Sequence, residues 1–262
     1  MRPAVKRCVN EVRGYGVGIK EIAGRAISLR EDEYLTKARQ IIRDNEFRVL
    51  PVVDENEMLL GVITDEDVLK LSATKSNVTV KGFIREVHAA DIDEDLHSLA
   101  RRMIEDEVDE IPVTENGRLV GILNLRDILR AIPYRRSDKL IGSIMTRKVK
   151  TLRPDDPITI AVSNMAEYGY SGFPVLDDKG KLVGIVTRRD LIRARSKVGK
   201  EHPPPAVKSV MTTTIHAVSP DTRVHEAVEM MLKFDIGRLP VTEDGKLIGI
   251  VDRYDLIKAV IE

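Results

Sequence analysis

The chain has 262 residues, enough for one large domain or two of about 130, each able to bury a core without disulfide or metal staples. Hydrophobic residues make up 42% and charged residues 32%, and the formal net charge is zero, so no overall field selects nucleic acid, a membrane or an acidic substrate. Cys8 is the single cysteine, which excludes an internal disulfide and any multi-cysteine metal site and points to a reducing, cytoplasmic setting.

Residues 1–18 read as a flexible basic arm. Arg2, Lys6, Arg7 and Arg13, continued by Lys20 and Arg25, outnumber Glu11 and Glu21, so the segment suits an acidic surface, RNA or DNA, or simply water. It lacks the apolar core of a signal peptide, and no run in the chain reaches the roughly 18 apolar residues of a membrane span. Gly14, Gly16 and Gly18 have neither phosphate-loop spacing nor a strand before them. Abundant Lys, Arg and Glu beside a single glutamine, Gln40, suggest a thermophile source.

From residue 19 the chain repeats itself four times. GVITDEDVL, GILNLRDIL, GIVTRRDLI and GIVDRYDLI begin at Gly61, Gly121, Gly184 and Gly249, and six residues after each glycine comes Asp67, Asp127, Asp190 or Asp255. Each is preceded by a strand-opening proline, Pro51, Pro112, Pro174 or Pro240, with steps of 61, 62 and 66 residues. Within a unit, apolar positions at helical spacing, such as Val224, Ala227, Val228, Met231 and Leu232, predict a helix opened by Ser219-Pro220-Asp221-Thr222. Two apolar strands follow, joined in units two and four by the tight-hairpin dipeptides Asn116-Gly117 and Asp244-Gly245 and in units one and three by a longer turn. A second helix closes the unit, and with a short leading strand the order is β-α-β-β-α, an α/β (α+β) class.

A unit this small cannot cover its own sheet, so neighbours are expected to pair. The expected layout is a first pair over 19–135 (units 19–75 and 76–135) and a second over 136–262 (units 136–196 and 206–262), with a proline-rich linker at 197–205 crossing the surface. The acidic run from Asp91 to Asp95 falls at a helix start, where acids suit the dipole, and is read so in preference to a metal cluster. The five histidines have no H-x-x-x-H spacing and no nucleophile elbow occurs, so an enzyme is not expected.

These proline, hairpin and G-h-h-T-x-x-D features (h, apolar) closely resemble the cystathionine-β-synthase (CBS) domain family, in four copies over about residues 19–262. The resemblance implies pseudo-two-fold pairs (Bateman modules) and, by family analogy alone, a homodimer, with clefts for AMP, ADP or ATP, or less readily S-adenosylmethionine or NAD. It also implies a regulatory or energy-sensing role on a separate protein partner or enzyme. A second reading is docking on nucleic acid or a ribonucleoprotein through the repeats and the basic arm.

Thr64, Asn124, Thr187 and Asp252, each three residues before its aspartate, are good N-caps, and with the acid form a capping box, which accounts for all four junctions without a ligand. In the family the aspartate takes ribose hydroxyls and the helix end faces phosphate, which singles out units one and three, where Thr is kept. Ser28 and Thr151, twenty-three residues before their prolines where the family's first strand nears adenine, are polar, whereas the matching Ala89 and Ala217 are not. The expected first site is therefore Thr151, Thr187 and Asp190, and the second Ser28, Thr64 and Asp67, with Asp127 and Asp255 as weaker candidates. Arg188 and Arg189 stand in a first helical turn, where a cation is disfavoured by roughly 0.3–1 kcal/mol, and are read as phosphate ligands or else as arginines paired with nearby acids. Arg48 and Arg238, just before their strands, are further phosphate candidates beside Arg126 and Arg253, whereas Asp65 and Glu66 in unit one are hostile to phosphate.

Overall fold

The structure is a computed structural model and describes residues 17–45, 47–70, 77–134, 137–198 and 204–262. After the short helix α1 (Ile19–Ile22), unit one comprises β1 (Leu29–Arg30), α2 (Leu35–Asn45), β2 (Val49–Val53), β3 (Leu59–Thr64) and α3 (Asp65–Lys70). Unit two comprises β4 (Ala90–Asp91), α4 (Leu96–Glu105), β5 (Glu110–Glu115), β6 (Arg118–Asn124) and α5 (Leu125–Ala131). Unit three follows with α6 (Ile141–Ile144), α7 (Ile158–Tyr168), β7 (Gly172–Leu176), β8 (Leu182–Thr187) and α8 (Arg188–Val198), and unit four with α9 (Val224–Phe234), β9 (Arg238–Glu243), β10 (Lys246–Asp252) and α10 (Arg253–Ile261).

In units one and two the leading strand runs parallel to the proline strand, Leu29 opposite Val52 and Ala90 opposite Val113. In units three and four it shrinks to a single parallel bridge, Leu152 to Val175 and Val218 to Val241. The hairpins follow their dipeptides. Asn116 and Gly117 have φ of 52° and 79°, Asp244 and Gly245 of 48° and 76°, the paired left-handed geometry of a two-residue turn. In the longer turns an aspartate closes the loop instead: Asp54 Oδ1 accepts from the amides of Asn56 and Met58, and Asp177 Oδ1 from those of Lys179 and Lys181.

Asp95 caps α4 by accepting from the Ser98 amide at 2.8 Å, so the end of the acidic run serves a helix start. Helix α9 begins later than its sequence signals suggest. Ser219 and Thr222 form a turn of their own, with the Ser219 amide donating to Thr222 Oγ1, and Arg223 is the N-cap, its amide donating to Glu226. The end of the proline-rich linker lies across unit three, with the Ile158 amide donating to Pro205 and the Val207 amide to Asp156.

Each unit lends its leading segment to its neighbour. Gly24, ahead of unit one, bridges to Ile122 on β6 of unit two, while Arg85, ahead of unit two, bridges to Val62 on β3 of unit one. The second pair repeats the exchange, Thr146 with Ile250 and Thr212 with Ile185. This crossing explains the motif glycines. A Cβ on Gly121 would lie 2.9 Å from the Gly24 carbonyl oxygen, one on Gly184 2.5 Å from Met211 Sδ, and one on Gly249 2.5 Å from Met145 Sδ. At Gly61, whose φ is +149°, it would strike the Arg85 carbonyl.

The apolar cores run diagonally to these exchanges. One joins units one and three, with Leu35, Ile42, Leu50 and Ile63 in contact with a set including Met165, Phe173, Val186 and Leu191. The other joins units two and four, with Leu99, Met103 and Leu129 beside Val228, Met231 and Leu256. The two pairs therefore close on each other within a single chain.

Candidate functional site

The middle of the molecule is built from the residues two and three places before each strand proline. Arg48 Nη1 lies 2.6 Å from Asp109 Oδ2, while its amide and that of Val49 donate to Glu110 Oε2 at 2.8 and 3.1 Å. Arg48 Nη2 donates to Ser171 Oγ at 3.2 Å, and Arg238 donates to the same oxygen and, through Nη1, to the Gly172 carbonyl at 2.7 Å. Gly172 has no Cβ because one would meet Arg238 Nη1 at 2.8 Å. Burial opposes the charge on Arg48, but Asp109, Asp65 and Glu110 outweigh it and hold the pKa above its ordinary value. Among the described residues no such acid is ion-paired with Arg238. Burial, reinforced by the Arg48 charge, pulls it down to about 10.

Opening from this centre is a cleft of about 360 Å³, to which both pairs contribute. Nine arginines and five acids line it, a surplus of positive charge in a chain whose total is zero. One arm of the cleft is formed by Ile185, Thr187, Arg189 and Asp190 of unit three against Thr212, Thr214, His216 and Gly237 of unit four. The other holds Ile122, Asn124 and Arg126 of unit two against Arg25, Phe47 and Arg48 of unit one.

All four junctions show the local bonds of a helix cap. Thr187 Oγ1 and its amide donate to Asp190 Oδ2 at 2.6 and 2.8 Å, and the Asp190 amide returns to Thr187 Oγ1 at 3.3 Å. Thr64 and Asp67 repeat this at 2.7, 3.0 and 3.3 Å, and Asn124 Oδ1 accepts from the Asp127 amide at 3.0 Å. In unit four the cap is a pair of carboxylates: Asp252 Oδ1 accepts from the Tyr254 and Asp255 amides, and Asp255 Oδ2 from the Asp252 amide. Burial first, and the Asp252 charge second, push Asp255 up to about 7.

The junctions differ in what meets the second carboxylate oxygen. Asp190 Oδ1 has no hydrogen-bond partner among the described residues. Asp67 Oδ1 is taken by the guanidinium of Arg85, which reaches it from the exchanged segment of unit two.

The exchange also sets which residues share the cleft with Thr187 and Asp190. Thr151 is exposed, one residue before Leu152 on the edge of unit three's sheet, and is not among the residues lining the cleft; Thr212, Thr214 and His216 line it with Thr187 and Asp190. Ser28, half-buried, directly precedes Leu29, which pairs with Val52 on β2 of unit one. The arm that holds Thr187 and Asp190 thus draws on two repeats, units three and four.

Arg188 is corrected as well. It is 7% exposed and, within the cleft wall, is bound to acids of unit one, with Nη1 2.9 Å from Asp65 Oδ1 and Nη2 2.9 Å from Glu66 Oε1. The two acids that looked hostile to phosphate are thus neutralised by an arginine that looked made for it. Burial raises the pKa of Asp65, against the pull of Arg188 and Arg48. Arg189 remains on the cleft wall; Arg126 and Arg253 reach Asp235 of unit four, Arg253 at 3.9 Å. Asp109, Glu110, Ser171 and Asp235 escape a motif-based reading. The first three share the columns of Arg48 and Arg238 before the prolines, a signal visible once those columns are compared.

A family model described as CBS domain matches residues 19–74, 80–134, 141–197 and 207–262. The chain belongs to the CBS domain family. It is 28% identical over 260 residues to the uncharacterized protein MJ1404 of Methanocaldococcus jannaschii, covering 92% of this chain and 61% of that protein. It is 36% identical over 121 residues to inosine-5'-monophosphate dehydrogenase of the same organism, 46% of this chain but 23% of the enzyme. This chain thus spans less than two thirds of either relative. The crystal structure of MJ1225, also from Methanocaldococcus jannaschii, superposes with a TM-score of 0.84 at 22% identity, over 92% of this chain and 99% of that one, a likeness of fold. No described helix of this CBS protein is long and apolar enough to cross a membrane.

Proposed function

We propose that this CBS protein is a non-catalytic regulatory module that binds an adenine nucleotide in the arm of the cleft between units three and four. The observation that carries the reading is Asp190: its Oδ2 is spent on Thr187, while Oδ1 is without a partner among the described residues on the wall of an arginine-rich cleft. A carboxylate oxygen so placed suits the vicinal hydroxyls of a ribose. Arg189, Arg238 and the N-terminus of α8 supply the positive end for phosphate, and Thr212 and Thr214 supply hydroxyls. AMP, ADP and ATP fit this charge better than S-adenosylmethionine, whose sulfonium would face the arginines.

The regulatory part of the reading rests on connection. Units three and four wall the arm, and Arg188, between Thr187 and Asp190 in sequence, ties the same helix start to unit one. A ligand that favours one arrangement of these units would shift their packing and so the surface offered to a separate partner. Nucleic-acid docking through residues 1–18 gains no support, since residues 1–16 lie outside the described residues.

Calorimetric titration and thermal unfolding with AMP, ADP, ATP, NAD and S-adenosylmethionine test the proposal. At one hundred times its dissociation constant a ligand should add about 2.7 kcal/mol of stability. Asp190→Asn keeps an oxygen for the cap but replaces the second acceptor, and should weaken binding roughly 10- to 100-fold, the worth of a hydrogen bond to a charged group. Silence with all five ligands, or undiminished affinity in the variant, overturns it.

A further inference from the structure

We infer that Arg85 keeps nucleotide from the unit-one junction by taking the Asp67 oxygen that a ribose would need, and so decides which junctions are sites. This rests on the reading of Asp190 as a ribose acceptor. Unit one has the same Thr-x-x-Asp junction as unit three, with the same three capping bonds. Its neighbouring acids do not distinguish it, because Asp65 and Glu66 are bound to Arg188.

What differs is the residue that faces the aspartate from the exchanged segment. At the four equivalent bridges stand Gly24, Arg85, Thr146 and Thr212, so Arg85 is the one cation among them. Two backbone bonds at 2.9 Å to Val62 fix its main chain over β3, and its guanidinium closes on Asp67 Oδ1. With Thr64 on Oδ2, both oxygens of a carboxylate that is 7% exposed are engaged. A ribose would have to replace a charge-assisted bond with neutral ones, each about half as strong, and leave the buried aspartate without its counter-charge. At unit three the corresponding Thr212 makes no such claim on Asp190.

The test counts nucleotides bound per chain by calorimetric titration with AMP and with ATP. The variant Arg85→Thr places at unit one the residue found opposite Asp190, and should bind one more nucleotide per chain than the parent. Adding Asp67→Asn should remove that extra site, and Arg85→Lys should not create it. Because the Arg85 side chain is 47% exposed, its loss opens no core; unfolding of the unliganded variant checks the fold, and Arg85→Gln replaces it if needed. An unchanged count in both Arg85→Thr and Arg85→Gln overturns the inference, as does a parent protein that loses a site on Asp67→Asn alone. If the parent binds neither nucleotide but Arg85→Thr binds one, the proposal for Asp190 fails and this one stands.

Discussion

Arg188 occupies the first turn of α8, where the helix dipole disfavours a cation, and Asp65 and Glu66 occupy the first turn of α3 with the favoured sign. Their contact turns the one local oddity, Arg188, into half of a buried ion pair with Asp65, 123 residues away in sequence. Removing one partner strands the other, so Arg188→Ala is expected to lower stability by about 3 kcal/mol, read from chemical denaturation. In a double-mutant cycle with Asp65→Ala the costs should fall well short of additive. Additive costs would show that the two residues act separately. Asp255 offers a second measurement at this scale. Its pKa rises from 3.8 to about 7 on folding, so between those values the folded chain holds a proton the unfolded chain has released. Stability from this group should be full below the lower value and decline as pH rises through the upper one, and Asp255→Asn should flatten the profile of unfolding midpoint against pH. The junctions were legible in the sequence because a cap is made by residues three apart. The destination of Arg188 was not, because the sign of a charge does not say which distant element will face it.

Among elements, the exchanged segments decide what the motif glycines can tolerate. At Gly61 the obstruction is the Arg85 backbone, which cannot move without breaking its bridge to Val62; at Gly184 the nearest atom is the sulfur of a flexible methionine. Gly61→Ala should therefore cost more than Gly184→Ala, by roughly 1 kcal/mol or more, since the first also forces an alanine to a positive φ. Equal costs would mean that the crossing chain yields as easily as the side chain. The hairpins and helices of each unit could be read from dipeptides and periodicity, because their causes are local. The crossing could not. Glycine in a strand signals a close approach without naming what approaches, and that missing identity is why Thr212, Thr214 and His216 could not be assigned to the Thr187 junction from the sequence.

For the whole molecule, two kinds of contact join different pairs of units. Backbone exchange joins one to two and three to four, and the apolar cores join one to three and two to four. No unit can leave without breaking both, so thermal unfolding is expected as a single calorimetric transition whose measured and van't Hoff enthalpies agree. Two separated transitions would show that the pairs are independent. The exchange also constrains how such a chain could have been copied. A recombination event that deleted one repeat would carry away the segment lying on its neighbour's sheet and leave that edge bare, whereas deletion of a whole exchanging pair leaves the exchange within the other pair complete. Repeats of this kind are therefore expected to be inherited, gained and lost in twos.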